Sequence, residues 1–139
     1  MHWVRALLAL ASLSLASHAL AQANFDWTPA REESVIEVLT ADADGDLRET
    51  PVWIVVLDGA GFVRTNDSKW LANIRRGSPV RLRVRNVESA MVANEVSDAA
   101  LRERVEAAFK EKYGTLQRMM SLFRMREPVV LRLDPRASE

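Results

Sequence analysis

Arg64-Thr65 and Ser68-Lys69-Trp70 place a guanidinium, two hydroxyls, an ammonium and an indole within seven residues. Such a set suits an oxyanion: the cations supply charge and the hydroxyls supply hydrogen bonds. A helix opening at Ser68 would add first-turn amides that lack internal partners, and its dipole favours an anion, so phosphate is the natural guest. Trp70, directly after Lys69, could wall a planar ring. The plainer reading is a solvated turn with Ser68 as the N-cap. The surrounding charge supports the first reading. Arg64 to Arg85 holds seven Arg or Lys against Asp67 alone, in a chain whose 19 basic and 19 acidic residues otherwise balance.

Other chemistries are thin on the ground. Arg5 precedes the apolar run Ala6 to Ala16, and small residues recur at Ala19-Leu20-Ala21 and Ala21-Gln22-Ala23. This pattern predicts a secretory signal peptide over 1–23, cleaved after Ala21 or Ala23, and in a bacterium a periplasmic protein. The run is too short to span a bilayer comfortably, so no stable membrane insertion is expected after cleavage. Cleavage would remove Arg5, His2 and His18, leaving one acid in excess and neither His nor Cys. Thiol nucleophiles, Ser-His-Asp triads, His or Cys zinc sites and His-ligated haem are then all excluded. Lacking disulfides, the chain must draw stability from core packing or a partner subunit. A net-negative exported chain also argues against nucleic acid as a partner. Asp42, Asp44 and Asp46 imitate the start of a calcium loop, but Leu47 replaces the required Gly and Trp53 stands at the twelfth position. They read as a hairpin tip.

The elements that must position these residues fit one domain, 24–139. Val35 to Ala41 predicts a strand, Asp44-Gly45 a tight turn, and Val52 to Leu57 a central strand covered on both faces. Asp58-Gly59-Ala60-Gly61 predicts a second turn into the strand Phe62 to Thr65. Pro79 to Arg85 alternates, with Val80, Leu82 and Val84 on one side and Arg81, Arg83 and Arg85 on the other. Those arginines suit an exposed face or a dimer interface, with help to an anionic ligand as a further option. Glu88-Ser89 predicts a turn and Ala90 to Val96 another strand. Ser97-Asp98 caps a helix carrying Leu101, Val105, Ala108 and Phe109. Gly114 stops it, a second helix presents Leu116, Met119, Met120 and Phe123, and Val129 to Leu133 closes the domain. The expectation is a mainly β, α+β fold: a six-stranded split barrel with flanking helices.

Asp44-Gly45, Pro51-Val52-Trp53, Ser68-Lys69-Trp70 and Lys112-Tyr113, in this order and spacing, resemble the FMN-binding split-barrel superfamily. That superfamily includes pyridoxamine-phosphate oxidase-like proteins and deazaflavin-dependent nitroreductases, and the likeness is nearest to a small uncharacterised branch. The resemblance implies FMN, or a related flavin or deazaflavin, bound for oxidoreductase chemistry on an unknown substrate. It implies that Thr65, Ser68 and Lys69, with Arg64 beside them, hold the flavin phosphate. It also implies that the ring lies along the backbone at Thr50, Val52 and Trp53, and that two chains form a homodimer with sites at their interface. The chain lacks the His and Arg constellation by which the oxidase grips pyridoxal phosphate, which argues against the vitamin substrate. No residue stands out as a general acid or base. The alternative expectation is a non-catalytic split barrel, holding a small planar anionic ligand or serving as a scaffold.

Overall fold

Seven strands form one antiparallel sheet in a computed structural model that describes residues 25–123 and 128–137. The predicted signal peptide, 1–23, lies outside the described residues. The strands are β1 (Ile36–Ala41), β2 (Leu47–Val52), β3 (Val55–Leu57), β4 (Ala60–Thr65), β5 (Val80–Val84), β6 (Val87–Glu95) and β7 (Val129–Pro135). Among the described residues three helices accompany them: α1 (Thr28–Glu32), α2 (Lys69–Arg75) and α3 (Ala99–Phe123). The order across the sheet is β2-β1-β5-β6-β7-β4-β3.

That order dictates the shape. The two edge strands, β2 and β3, are neighbours in the chain, joined only by Trp53-Ile54. At roughly 3.5 Å per residue such a link reaches about 11 Å. The sheet must therefore curl until its edges almost meet, leaving a split barrel with a seam at Trp53-Ile54. Val38, Val63, Leu82, Leu131 and Leu133 fill the interior with Ile54, Trp27, Trp70 and Leu71. On the outside of β3, β4 and β7, Val55, Phe62 and Val130 pack against Val105 and Phe109 of α3.

The sheet has one more strand than the six expected. The apolar run Val52 to Leu57 is not one central strand: Val52 ends β2, the ladder lapses at Trp53-Ile54, and Val55 begins β3. Pro51 is tolerated in β2 because that strand pairs only with β1, so the missing amide costs no ladder bond. The turn expected at Glu88-Ser89 falls at Arg85-Asn86, where Val84 pairs with Val87 and the two turn residues take φ of 50° and 64°. This is the two-residue geometry that matches strand twist, and Asn adopts it readily. Likewise Asp58-Gly59 alone makes the β3–β4 turn, and Ala60 and Gly61 already belong to β4.

Asp44-Gly45 forms the expected hairpin tip, closed by Asp42 N–H to Asp46 O at 2.8 Å. Asp98 caps α3 through its side chain to Ala100 N–H at 3.3 Å. At Gly114 the backbone of α3 breaks from helical geometry (φ 54°, ψ −127°) and then continues to Phe123. The expected face of Leu116, Met119, Met120 and Phe123 lies outside the residues whose side chains are described.

Two predictions follow from local packing. A Cβ on Gly61 would sit 2.7 Å and 2.8 Å from the Trp27 ring and 3.1 Å from Ile54. Trp27 is buried and tied by its indole N–H to Gly59 O at 3.0 Å, so it cannot retreat. Gly61→Ala should therefore cost about 1–3 kcal/mol in urea unfolding.

The second concerns Asp42, which joins the β1–β2 hairpin to α2. Its carboxylate accepts from Arg48 at 2.7 and 2.9 Å and from Asn73 at 2.8 Å. These bonds, Arg48 first, lower its pKa from 3.8 to about 2. A folded-state value held below the unfolded one gives stability that is present above pH 3.8 and lost as pH falls toward 2. Urea midpoints of the Asp42→Asn protein should accordingly change less across that window than those of the wild type.

Candidate functional site

The seam opens into a cleft of about 240 Å³. Thr50, Pro51, Val52 and Trp53 line it from β2 and the seam, Arg64, Thr65 and Asn66 from the end of β4, Trp70 from α2 and Phe109 from α3. Six of the eight residues singled out in the sequence, Thr50, Val52, Trp53, Arg64, Thr65 and Trp70, thus meet on one concavity. The curl of the sheet explains the meeting, because it carries the edge strand β2 round to the end of β4.

Ser68 stands behind Thr65. Their hydroxyl oxygens are 2.7 Å apart, and Ser68 Oγ also caps α2 by accepting from Leu71 N–H at 3.3 Å. Thr65 donates to Asn66 O at 2.9 Å. Hydroxyl protons rotate, so turning this one toward a guest forfeits a single neutral hydrogen bond, a net ~1 kcal/mol. Both the phosphate reading and the capping reading of Ser68 are compatible with this geometry.

Lys69 departs from expectation. It is exposed and lines a separate surface groove with Asp42, Asp44, Arg48, Asn73 and Arg76. Successive helical residues point about 100° apart. With Trp70 turned into the core at 5% exposure, Lys69 is swung outward. The three strand arginines also face away from the cleft's business, each bonded to carboxylates of its own chain. Arg81 pairs with Glu88, Arg83 with Glu37, Glu49 and Glu88, and Arg85 with Glu32 and Glu33.

α3 supplies what the sequence reading did not assign. Arg64 donates to Glu106 at 2.6 Å, and its guanidinium lies over the Phe109 ring, 3.9 Å from the centroid. Phe109 stacks on Tyr113 (5.8 Å), and Tyr113 stacks on Trp53 (4.2 Å, 5° between planes). Glu106, Phe109 and Tyr113 fall at i, i+3 and i+7, one face of the helix, and that spacing was the signal available. A cation and three rings therefore form one continuous column beside the cleft.

The same helix closes the seam. Tyr113 Oη accepts from Ile54 N–H at 3.0 Å and donates to Ser34 O at 2.8 Å, with Ile54 O at 3.2 Å. Lys112 Nζ donates to Ile54 O at 2.8 Å and Ala30 O at 3.1 Å. Backbone groups that lose the ladder at the seam thus find side-chain partners, as buried amides must. Burial lowers the Lys112 pKa and raises that of Tyr113, in each case penalising the charged form.

The arrangement fits a planar group with an anionic tail. Trp53 offers apolar ring surface, with the buried Trp70 and Phe109 bordering the cleft from the core, while Arg64 and Thr65, backed by Ser68, gather polar hydrogens at one end. Known structures carry the same architecture. A conserved hypothetical protein of Mycobacterium tuberculosis, Rv2991, superposes with a TM-score of 0.64 at 23% identity, over 78% of this chain and 77% of that one. HutZ, the heme storage protein of Vibrio cholerae, does so with 0.63 at 18% identity, over 80% and 87%. An F420-H2 dependent reductase, FDR-A, gives 0.59 at 16% identity, over 73% and 95%. No curated protein matches the chain. These likenesses show a shared split-barrel fold. The model of DUF2255, described as an uncharacterized protein conserved in bacteria, matches residues 28–132, every residue of the cleft included, and the chain belongs to that family.

Proposed function

We propose that this protein binds FMN, or a related flavin or deazaflavin, in the seam cleft and works as an oxidoreductase. The reading includes export through the N-terminal signal and a homodimer. The carrying observation is the convergence of Thr50, Val52, Trp53, Arg64, Thr65 and Trp70 on one concavity, polar at one end and aromatic along its wall. Arg64, Thr65 and Ser68 would hold the phosphate, and Trp53 with the β2 backbone would carry the ring. A bound flavin would supply the redox chemistry, so the lack of His and Cys beyond residue 18 is no obstacle. Haem, bound by a structural relative, fits less well. Among residues whose side chains are described, the usual axial ligands come down to Tyr113 and Met91, the first committed to Ile54 and Ser34 and the second buried in the barrel.

One observation favours a second reading. Glu106 already compensates the Arg64 charge at 2.6 Å. A cleft with its cation neutralised suits a binding or scaffold protein that takes a planar ligand without turnover. Visible absorption of the mature protein, before and after adding FMN, separates the two. Flavin bands that travel with the protein, or are perturbed by it, support the first, and an unperturbed spectrum at micromolar FMN supports the second. Light scattering during size-exclusion chromatography should return twice the monomer mass, and a clean monomer would remove the dimer from the proposal.

A further inference from the structure

We propose that Tyr113 and Lys112 are positioning residues for the cleft, clasping the seam at Ile54 so that Trp53 is held as its ring-bearing wall. The inference rests on the flavin reading and deepens it, since it names what sets affinity for a planar guest.

Trp53 has no strand pairing of its own to hold it. It sits in the two-residue link between edge strands, where no ladder fixes the backbone. Its position is set instead from α3, 60 residues further along the chain. The Tyr113 ring stacks on the indole at 4.2 Å with planes 5° apart. The Tyr113 hydroxyl and Lys112 ammonium meanwhile hold both the N–H and the C=O of the next residue, Ile54. The clasp also reaches Ser34 and Ala30, so it ties α1 and the start of β1 to the same point. Two adjacent residues of one helix thus fix a neighbouring backbone unit from both sides. Neither Lys112 nor Tyr113 lines the cleft, so their effect on a ligand must pass through Trp53.

Tyr113→Phe keeps the stacking ring and deletes the hydroxyl bonds, while Lys112→Met deletes the ammonium from the same carbonyl. Trp53 exposure is read by acrylamide quenching, as the difference between each protein and its Trp53→Phe counterpart. In Tyr113→Phe the Trp53 share should rise about twofold, with FMN affinity falling about five- to tenfold, the scale of one lost hydrogen-bonded constraint. Lys112→Met should move both in the same direction. Should Tyr113→Phe fail to fold, Lys112→Met carries the same expectation. A folded variant with a lower urea midpoint but unchanged Trp53 quenching would overturn the proposal, leaving the clasp a purely structural one. Quenching needs no flavin. If wild-type protein fails to bind FMN, the flavin reading falls while the effect of the clasp on Trp53 is still measured.

Discussion

Arg64→Met is expected to weaken FMN binding by about 10–100-fold, and riboflavin binding by about threefold at most, the difference being one or two charge-assisted hydrogen bonds to phosphate. Riboflavin presents the same ring without the phosphate, so the comparison isolates the anionic end. Removing the guanidinium does more than delete a donor. It leaves the Glu106 carboxylate, formerly 2.6 Å from Arg64, beside the site with its charge uncompensated. That carboxylate would then repel an incoming phosphate. The stability cost should be smaller than the binding cost, because Glu106 is 41% exposed and can rehydrate. Parallel titrations of both ligands by flavin fluorescence give the ratio. Equal losses for FMN and riboflavin would move the phosphate away from Arg64.

The second large effect belongs to Phe109. It is fully buried, packs in the layer between α3 and the outside of β3 and β4, and forms the platform under Arg64. Phe109→Ala should cost about 3–5 kcal/mol in denaturant unfolding, from lost transfer energy plus the cavity left behind. Domains of this size have only about 5–15 kcal/mol to lose. Val105→Ala is a suitable control, since Val105 lies in the same cluster, is equally buried and does not line the cleft. Its loss should be stabilising energy alone. In Phe109→Ala, FMN affinity should fall as well, because Arg64 loses the ring on which it rests.

Much of the fold was legible because its signals are local. Asp44-Gly45 sets a turn, Asp98 and Ser68 cap helices, and the alternation of Val80, Leu82 and Val84 marks a strand with one face inward. The seam was not legible, since Val52 to Leu57 is apolar throughout and reads as one strand. At its interruption the Ile54 backbone bonds to Lys112 and Tyr113, far along the chain, and periodicity holds no record of such partners. At the site, chain proximity served well where the backbone is extended and poorly where it turns. Thr65 and Ser68 touch, but Lys69 shares the loop and not the direction, because the first helical turn rotates it away. Glu106 was passed over, and Phe109 read only as an apolar helix position, for a different reason. On their helix they look like one solvated acid and one core aromatic, and only the β4 end opposite them makes them neighbours of Arg64.

A crystal structure of residues 24–139 grown with FMN should show the phosphate within hydrogen-bonding distance of Arg64 and Thr65, with the ring along Thr50 to Trp53. A flavin seated elsewhere, or a cleft that still holds only the Arg64–Glu106 pair at saturating FMN, would contradict the proposal.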